Sequence, residues 1–242
     1  MFNKRLKLPF AKIKTIKSAE IQKEQIDVTE AKTDEENHIP SSGHVLIQKV
    51  KDALHNPADL IVKNIPPNLT LIYIDDLVDN RPLNDQILRG LFKSTHESPE
   101  KIKELLAIPK VDLSSHLDKS ILALLNGTVL IHVEGYSKLV LGNIATRKSR
   151  SLSAPENESQ VIGSQVGFNE SLSTNVSLVR RYIVNPDLCK ENHVIGNKTN
   201  TTIALLYIKG IASEQMVNTL RQRITDLNID SSIDSSVLVQ LI

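Results

Sequence analysis

Apolar residues in this chain recur in patterns typical of an α/β fold. Residues 69–74 and 203–208 are almost continuously apolar, as strands are when both of their faces are covered. Further strands are predicted over residues 59–65, 129–133, 136–141 and 190–195. Apolar residues three or four positions apart predict helices over residues 45–54, 83–92, 99–106, 113–125 and 213–227. We therefore predict two small α/β lobes, each a mixed sheet with helices packed on it.

A long amphipathic helix is predicted over residues 170–184, after a loop that contains two glycines. At about 100° per residue, four apolar side chains share one face, and Glu170, Arg180 and Arg181 lie on the other. Pro186 disfavours helical geometry at the preceding residue and so ends the helix. Two interpretations are open. Either this is a packing helix with a solvated charged face, or Glu170, Arg180 and Arg181 contact a partner or a ligand.

Two asparagines near this helix have predicted structural roles. Asn169 is a candidate N-cap, because its side-chain oxygen can accept a hydrogen bond from a first-turn amide. Asn175 falls at the edge of the apolar face, where a half-buried amide group requires hydrogen-bond partners. We expect Asn175 to lock the local structure, and we also include it among the candidate contact residues.

A weak internal repeat relates two parts of the chain. Residues 71–77 resemble residues 205–211, and Tyr73 and Tyr207 occupy equivalent positions 134 residues apart. In both places a predicted strand turns into a helix. Two lobes related in this way would have a groove between them, and ligands favour such grooves and the carboxyl ends of strands.

The predicted groove would collect charged side chains. Asp75, Asp76 and Asp79 would lie on one wall, and Lys209 on the other. Carboxylates grouped in this way can bind a cation, but acidic residues are also common at the start of a helix, where they favour the helix dipole. We therefore predict no metal site and treat these four residues as candidate ligand or partner contacts.

Composition excludes several classes of function. The net charge of +1 implies no general attraction to nucleic acid, and the absence of Trp argues against surfaces for base stacking. Neither the seven His nor the single Cys has the spacing of a zinc site, and phosphate-loop and dinucleotide-binding motifs are missing. We predict no enzymatic activity, no catalytic residues, no cofactor and no nucleic-acid partner.

Charge and composition also indicate domain boundaries. Residues 1–23 are basic with interleaved apolar residues, and residues 24–38 are acidic and polar, with few large apolar side chains to offset the entropy of ordering. Residues 1–42 are therefore predicted to be mostly a mobile tail, and the basic start either contacts an anionic membrane surface or is simply solvated. The first lobe would span 43–150 and the second 166–236, with a Ser-rich linker or crossing segment at 151–165. The apolar residues 237–242 are predicted to begin the connection to a missing membrane domain.

Three segments resemble the A subunits of bacterial spore germinant receptors, the GerA family. They are residues 73–79 (YIDDLVD), 163–181 (GSQVGFNESLSTNVSLVRR) and 199–212 (TNTTIALLYIKGIA). The similarity runs from about residue 44 to the end of the sequence.

This resemblance implies a role in sporulating bacteria. It implies an N-terminal domain that faces the cytosol and is anchored to the spore inner membrane through a missing C-terminal half. The domain would assemble with B and C subunits, and a small nutrient such as an amino acid or a sugar would trigger germination. We expect the domain to take part in nutrient sensing and signal transmission. The alternative is an assembly scaffold that docks the other subunits without binding ligand.

Overall fold

The structure is a computed structural model that describes residues 37–92, 98–146 and 167–230. Residues 1–38 and 39–242 group as separate units, and the secondary structure below belongs to the second. The strands are β1 (Leu60–Ile65), β2 (Leu69–Ile74), β3 (Val111–Ser114), β4 (Thr128–Val133), β5 (Leu139–Asn143), β6 (Leu188–Ile195) and β7 (Thr201–Ile208). The helices are α1 (Gly43–Ala53), α2 (Asn80–Pro82), α3 (Arg89–Leu91), α4 (Pro99–Leu105), α5 (Leu117–Leu125), α6 (Leu172–Tyr182) and α7 (Glu214–Asp226). A 3₁₀ turn (Asp75–Leu77) follows β2, and a π-helical segment (Leu83–Leu88) joins α2 to α3.

The first sheet has five strands in the order β1-β2-β4-β5-β3. Two of its three interior strands, β2 and β4, are buried at all six positions, as their nearly continuous apolar sequences require. Leu69 pairs with Val133 and Ile72 with Leu130 across these strands. The predicted α/β fold class is confirmed. Every pairing among the described strands is antiparallel, whereas a mixed sheet was expected. Short loops join β1 to β2, β4 to β5 and β6 to β7, and loops of that length can connect only antiparallel neighbours.

Apolar side chains cover both faces of this sheet. Leu71 and Tyr73 of β2 pack on one face with residues of the segment from α2 to α4. Ile72 and Ile74 point to the opposite face, where they pack with residues of α1 and α5. This alternation follows from the two-residue period of a strand, so each face of β2 contributes to a different part of the core.

The predicted helix over residues 113–125 is wrong in its first part. Residues 111–114 form β3 instead, and α5 begins at Leu117, after His116. Leu113 pairs with Val140 of β5, so the strand depends on a partner far along the chain. Gly127 ends α5 with φ of 77°, and a Cβ atom there would lie 2.7 Å from the Leu77 carbonyl oxygen, which explains the predicted stop.

The second sheet is the hairpin β6–β7, with α6 before it and α7 after it. The N-cap of α6 is Ser171, whose hydroxyl accepts a hydrogen bond from the Thr174 amide; the predicted cap, Asn169, instead accepts one from the Ser171 amide. The helix predicted over 213–227 is α7, whose N-cap is Ser213, although the Ser213 side chain makes no capping hydrogen bond. Residues 201–208 are partly exposed rather than covered on both faces.

Several predicted boundaries lie outside the described residues. These include most of the tail (1–42), the linker (151–165) and the segment 237–242. The last residues assigned to the tail pack against the first sheet: Ile39 is 1% exposed, and His132 Nε2 lies 3.2 Å from the Pro40 carbonyl oxygen. The lobe limits of 43–150 and 166–236 stay predictions.

Candidate functional site

Polar contacts join the first sheet to the hairpin and its helices. The two apolar core clusters of the described residues contain no residue from 167–230. The backbone amide of Ala58 donates to the Lys190 carbonyl oxygen at 2.9 Å. One buried ion pair involves Asp59, the next residue after Ala58, and another involves the Lys190 side chain. We call the four side chains of these ion pairs, Asp59, Asp76, Arg180 and Lys190, the junction cluster.

The ion pair between Arg180 and Asp59 is almost completely buried. Both side chains are 2% exposed. Arg180 Nε donates to Asp59 Oδ2 and Nη2 donates to Oδ1, both at 2.7 Å. This two-point geometry satisfies both carboxylate oxygens, which makes it one of the stronger ion-pair arrangements. It joins α6 to the residue just before β1.

The second ion pair of the junction cluster joins Lys190 of β6 to Asp76. Lys190 Nζ lies 2.5 Å from Asp76 Oδ2, and both side chains are at most 7% exposed. The neighbouring Asp75 is exposed. Partial burial raises the pKa of the Asp75 carboxyl, Asp76 and Asp59 raise it further, and Lys190 lowers it. The cluster therefore holds two anions and two cations, with a third carboxyl at its edge.

A third contact across the junction runs through His55, just after α1. Its Nε2 atom lies 3.0 Å from Asp187 Oδ1, and its Nδ1 atom lies 3.3 Å from Lys209 Nζ. An ammonium group has only donors, so Nδ1 accepts and the ring proton on Nε2 is directed at Asp187. His55 thus contacts Asp187, just before β6, and Lys209, just after β7.

A cavity of about 300 Å³ opens beside this histidine. Its lining includes His55, Lys209, Tyr207, Glu214 and Arg221. The lining offers both cationic and anionic groups, in addition to the phenol of Tyr207. A small zwitterion matches such a surface, because specificity in a pocket depends on a few placed polar groups.

Arg221 is held in place by Glu191 of β6. Its Nε atom donates to Glu191 Oε2 at 2.8 Å, and its Nη2 atom donates to both Glu191 Oε1 and the Tyr207 hydroxyl. The hydrogen bonds from Arg221 lower the pKa of Glu191 to about 2. Burial, and then the hydrogen bond to Glu191, raise the pKa of Tyr207 to about 12.

The other predicted site residues have more local surroundings. Asp79 caps α2 by accepting from the Arg81 amide, and Glu170 is exposed before α6. Arg181 is exposed and donates to the Thr146 carbonyl oxygen. The expected structural role of Asn175 is confirmed, because it bonds both the amide and the carbonyl of Asn169, at 2.8 and 2.6 Å.

An apolar groove of about 190 Å³ lies on the outer face of α6. Its lining comprises Phe168, Leu178, Val179, Tyr182 and Ile183. Phe168 is 73% exposed and Tyr182 is 69% exposed. Exposed aromatic side chains that lie next to each other are a feature of protein-binding surfaces.

Metal-binding clusters and membrane-spanning helices are both missing from the described parts of the chain. Within residues 37–92, 98–146 and 167–230, no three His, Cys, Asp or Glu side chains are grouped closely enough to hold a metal ion. Over the same ranges, no helix has both the length and the apolar character needed to cross a membrane.

Four of the predicted site residues lie at the junction: Asp75, Asp76, Arg180 and Lys209. The predicted polar face of α6, however, is wrong for one of its three charged residues. Arg180 was assigned to the same face as Glu170 and Arg181, yet it alone of the three is buried. Sequence reasoning missed Asp59, Lys190 and His55. The available signal was a charged residue beside an apolar strand, as at Asp59 and Lys190, but that pattern occurs at many surface positions too.

Comparisons with known proteins identify the family. The profile of the family described as Bacillus/Clostridium GerA spore germination protein matches residues 48–242. Spore germination protein KA of Bacillus subtilis (strain 168) is 32% identical over 207 residues, which cover 81% of this chain and 38% of the relative. Spore germination protein GerQA of Bacillus cereus is 27% identical over 209 residues, or 84% of this chain and 42% of that protein.

A solved structure has the same fold. It is the crystal structure of the N-terminal domain of the A subunit of the Bacillus megaterium spore germinant receptor GerK3. The TM-score is 0.64 at 22% sequence identity, and the match covers 84% of this chain and 76% of the other. The chain spans less than half the length of the curated relatives named above. Since the family profile matches most of the sequence, the chain belongs to the GerA family of spore germination proteins.

Proposed function

We propose that this chain is the N-terminal domain of a germinant-receptor A subunit, which takes part in nutrient sensing and transmits the signal that triggers germination. It acts at the spore inner membrane, facing the cytosol, in a complex with B and C subunits. A C-terminal membrane half anchors it, and a small nutrient such as an amino acid or a sugar is the signal. The lengths of the curated relatives support a further region.

The observation that carries this proposal is the polar junction between the two sheets. Unlike the continuous packing of an apolar core, ion pairs such as Arg180–Asp59 and Lys190–Asp76 are discrete contacts that can be exchanged for others. If the junction has two arrangements that differ in these contacts, a signal can shift the equilibrium between them. Asp75 adds an unpaired carboxyl next to the Asp76–Lys190 pair.

The test replaces the Asp76–Lys190 pair with apolar side chains in the complete receptor. The double variant Asp76→Leu/Lys190→Met removes both charges together, which is far less disruptive than leaving one buried charge alone. We expect the nutrient concentration for half-maximal germination to shift by at least about threefold at equal receptor abundance. The control, Lys198→Met/Asp230→Leu, removes a surface ion pair of the hairpin region and should not shift it. An unchanged response in the junction variant would refute the role in signalling.

The cavity beside His55 is the proposed nutrient site. Lys209 would meet a carboxylate and Glu214 an ammonium group, which together match an amino acid. The volume of about 300 Å³ is at the lower end of small-molecule sites. Lys209 directly follows β7 and Glu214 begins α7, while His55 lies between α1 and β1, so an occupant would contact both sides of the junction.

Titration of the chain with amino acids and sugars by NMR tests this site. We expect millimolar ligand to shift the amide signals of Lys209, Gly210 and Ala212, and Lys209→Met to abolish the shifts. Lys198→Met, which changes an exposed lysine elsewhere, should leave them intact. If no ligand shifts these signals at millimolar concentration, nutrient binding by this domain is excluded and signal transmission alone remains.

The second candidate is an assembly scaffold that docks the other subunits without binding ligand. The groove beside α6 favours it, because Phe168 and Tyr182 expose aromatic surface next to Arg181. Under this proposal, Phe168→Ser in the A subunit should reduce the amounts of the B and C subunits that purify together with it. Phe92→Ser, a control at a residue that is 63% exposed, should not. Equal recovery in both variants would refute docking at this groove.

A further inference from the structure

A second cavity, of about 370 Å³, lies at the start of α1. Apolar side chains of α1 and of the loop between β1 and β2 form one part of its lining, and Gly43, Thr70 and Glu134 form a polar part. The two cavities share no described residue, so this one is separate from the cavity beside His55. Its volume is within the range of small-molecule sites.

Three polar atoms converge in front of Gly43, the first residue of α1. Because Gly43 has no side chain, these atoms approach its backbone closely. A Cβ atom there would lie 2.9 Å from Glu134 Oε2, 3.1 Å from Thr70 Oγ1 and 3.4 Å from His132 Nδ1. The Gly43 amide donates to Glu134 Oε2 at 2.9 Å. A carboxylate has about four lone-pair positions, so Glu134 can accept further hydrogen bonds.

The third of these atoms, His132 Nδ1, is buried and has no hydrogen-bond partner within the described ranges. His132 is only 1% exposed. Its other ring nitrogen, Nε2, lies 3.0 Å from the Tyr136 carbonyl oxygen and 3.2 Å from that of Pro40. A carbonyl oxygen only accepts, so the ring proton is on Nε2, which leaves Nδ1 as an acceptor in the neutral ring. A buried acceptor without a donor is unfavourable, so Nδ1 calls for a group that supplies one.

The other two converging atoms are acceptors as well. Thr70 Oγ1 donates its single proton to Asn64 Oδ1 at 3.2 Å, so towards the cavity this oxygen can only accept. Glu134 contributes a carboxylate oxygen. A primary ammonium group has three donors and no acceptor, and its charge is opposite to that of Glu134. Water has only two donors and an anion has none, so neither matches three acceptors as well.

The rest of the lining indicates what carries the ammonium group. Ile65 and Leu69 are buried, and Pro66 and Pro67 are exposed between β1 and β2. These side chains can cover a hydrocarbon chain but offer it no polar group. The described lining contains no Lys or Arg, and a carboxylate placed beside the ammonium group would be repelled by Glu134.

We propose that this cavity binds a primary ammonium group on a hydrocarbon chain, with Glu134, Thr70 and His132 as its three acceptors. Two sources carry this chemistry. One is a small free amine, and the other is a lysine side chain of a partner protein, whose hydrocarbon stem can lie on apolar surface. An α-amino acid does not fit, because its carboxylate would lie near Glu134. The proposal therefore does not depend on the nutrient site beside His55.

NMR titration of the chain with n-butylammonium, which reproduces the end of a lysine side chain, tests the proposal. At about 10 mM, a concentration suited to a site of millimolar affinity, we expect the amide signals of Gly43, His44 and Thr70 to shift. The nitrogen resonance of His132 Nδ1 should also change, because this atom gains a hydrogen bond. Butyrate and norleucine, which both carry a carboxylate, should leave these signals unchanged.

A blocked lysine distinguishes the two sources of the ammonium group. Nα-acetyl-lysine N-methylamide presents the side chain as it occurs within a protein. Binding of both this compound and n-butylammonium would support a lysine of a partner protein. Binding of n-butylammonium alone would support a free amine.

A pair of carboxylate variants provides the control. Glu134→Gln removes the charge but keeps an acceptor for the Gly43 amide, and should weaken the binding of n-butylammonium at least about tenfold. Glu100→Gln changes an exposed carboxylate that pairs with Lys138 and should leave the binding intact. As a second variant of the site, Thr70→Val removes one acceptor and should weaken the binding at least about threefold.

Three outcomes would overturn the proposal. The first is the absence of any shift at Gly43, His44 and Thr70 with n-butylammonium. The second is equal binding by wild type and Glu134→Gln. The third is a response confined to Lys209 and its neighbours, which would assign the amine to the cavity beside His55 instead.

Discussion

Replacing Arg180 by methionine would leave the Asp59 carboxylate buried without its cation. Both side chains are 2% exposed, and two hydrogen bonds of 2.7 Å join them. Removing one partner from a buried ion pair costs about 3–5 kcal/mol. For a chain of this size, about 1 kcal/mol lowers the midpoint of thermal unfolding by roughly 2–4 °C, so we expect a decrease of about 6–20 °C.

Two further variants separate the effect of the buried charge from that of the lost side chain. Asp59→Leu/Arg180→Met removes both charges, and its loss of unfolding free energy should be smaller, within about 2 kcal/mol. Arg181→Met changes the adjacent arginine, which is exposed and bonds a backbone carbonyl. Its effect should stay below about 1 kcal/mol.

The assay is urea unfolding of the isolated chain, followed by circular dichroism, together with a thermal scan. The expected order of destabilisation is Arg180→Met, then the double variant, then Arg181→Met. Equal destabilisation by Arg180→Met and Arg181→Met would contradict this prediction. A double variant as unstable as Arg180→Met would contradict it too, because the buried, unpaired Asp59 carboxylate would then have no energetic effect.

Three other predictions concern individual groups. Arg221 holds the pKa of Glu191 at about 2, below the ordinary value of 4.5. The stabilisation from the Glu191–Arg221 contact is therefore complete above pH 4.5 and is lost as the pH falls through about 2. The difference in unfolding free energy between wild type and Glu191→Gln, measured by urea unfolding, should shrink over that range. Gly127→Ala should destabilise the chain by about 2 kcal/mol or more, because φ is +77° and the new Cβ would lie within 2.8 Å of backbone atoms. In contrast, Gly90→Ala, with nothing within 4 Å, should be neutral or stabilising by up to about 1 kcal/mol in the same unfolding assay. Asn175→Ala removes two hydrogen bonds and should cost about 1–3 kcal/mol, with faster proteolysis near residue 169.

Patterns local in sequence predicted much of the fold. The apolar runs of β2 and β4 identified interior strands, because a strand buried on both faces needs apolar residues at every position. The helical spacing of apolar residues in α6 and the helix ends at Gly127 and before Pro186 likewise reflect rules that act within a few residues. Asn175 belongs to this class as well, since its partner lies six residues away.

Other elements depended on distant partners. Leu113 and Ser114, the first two residues of the predicted helix over 113–125, belong instead to β3, which forms by pairing with β5. The apolar sequence of β7 predicts an interior strand, yet its outer edge has no partner among the described strands. In both cases the local sequence allows a strand, and contacts with residues distant in sequence decide whether the strand forms and on which edges it is paired.

The sequence by itself determined the family, the fold class and the presence of charged residues at the ends of buried strands. Only the tertiary structure decided which charges meet. Helical periodicity placed Arg180 with Glu170 and Arg181 on a polar face, but Asp59, 121 residues earlier in the chain, draws Arg180 alone into the interior. The free energy of an ion pair depends on burial and on the position of the opposite charge, and neither quantity is contained in the spacing of residues along a helix.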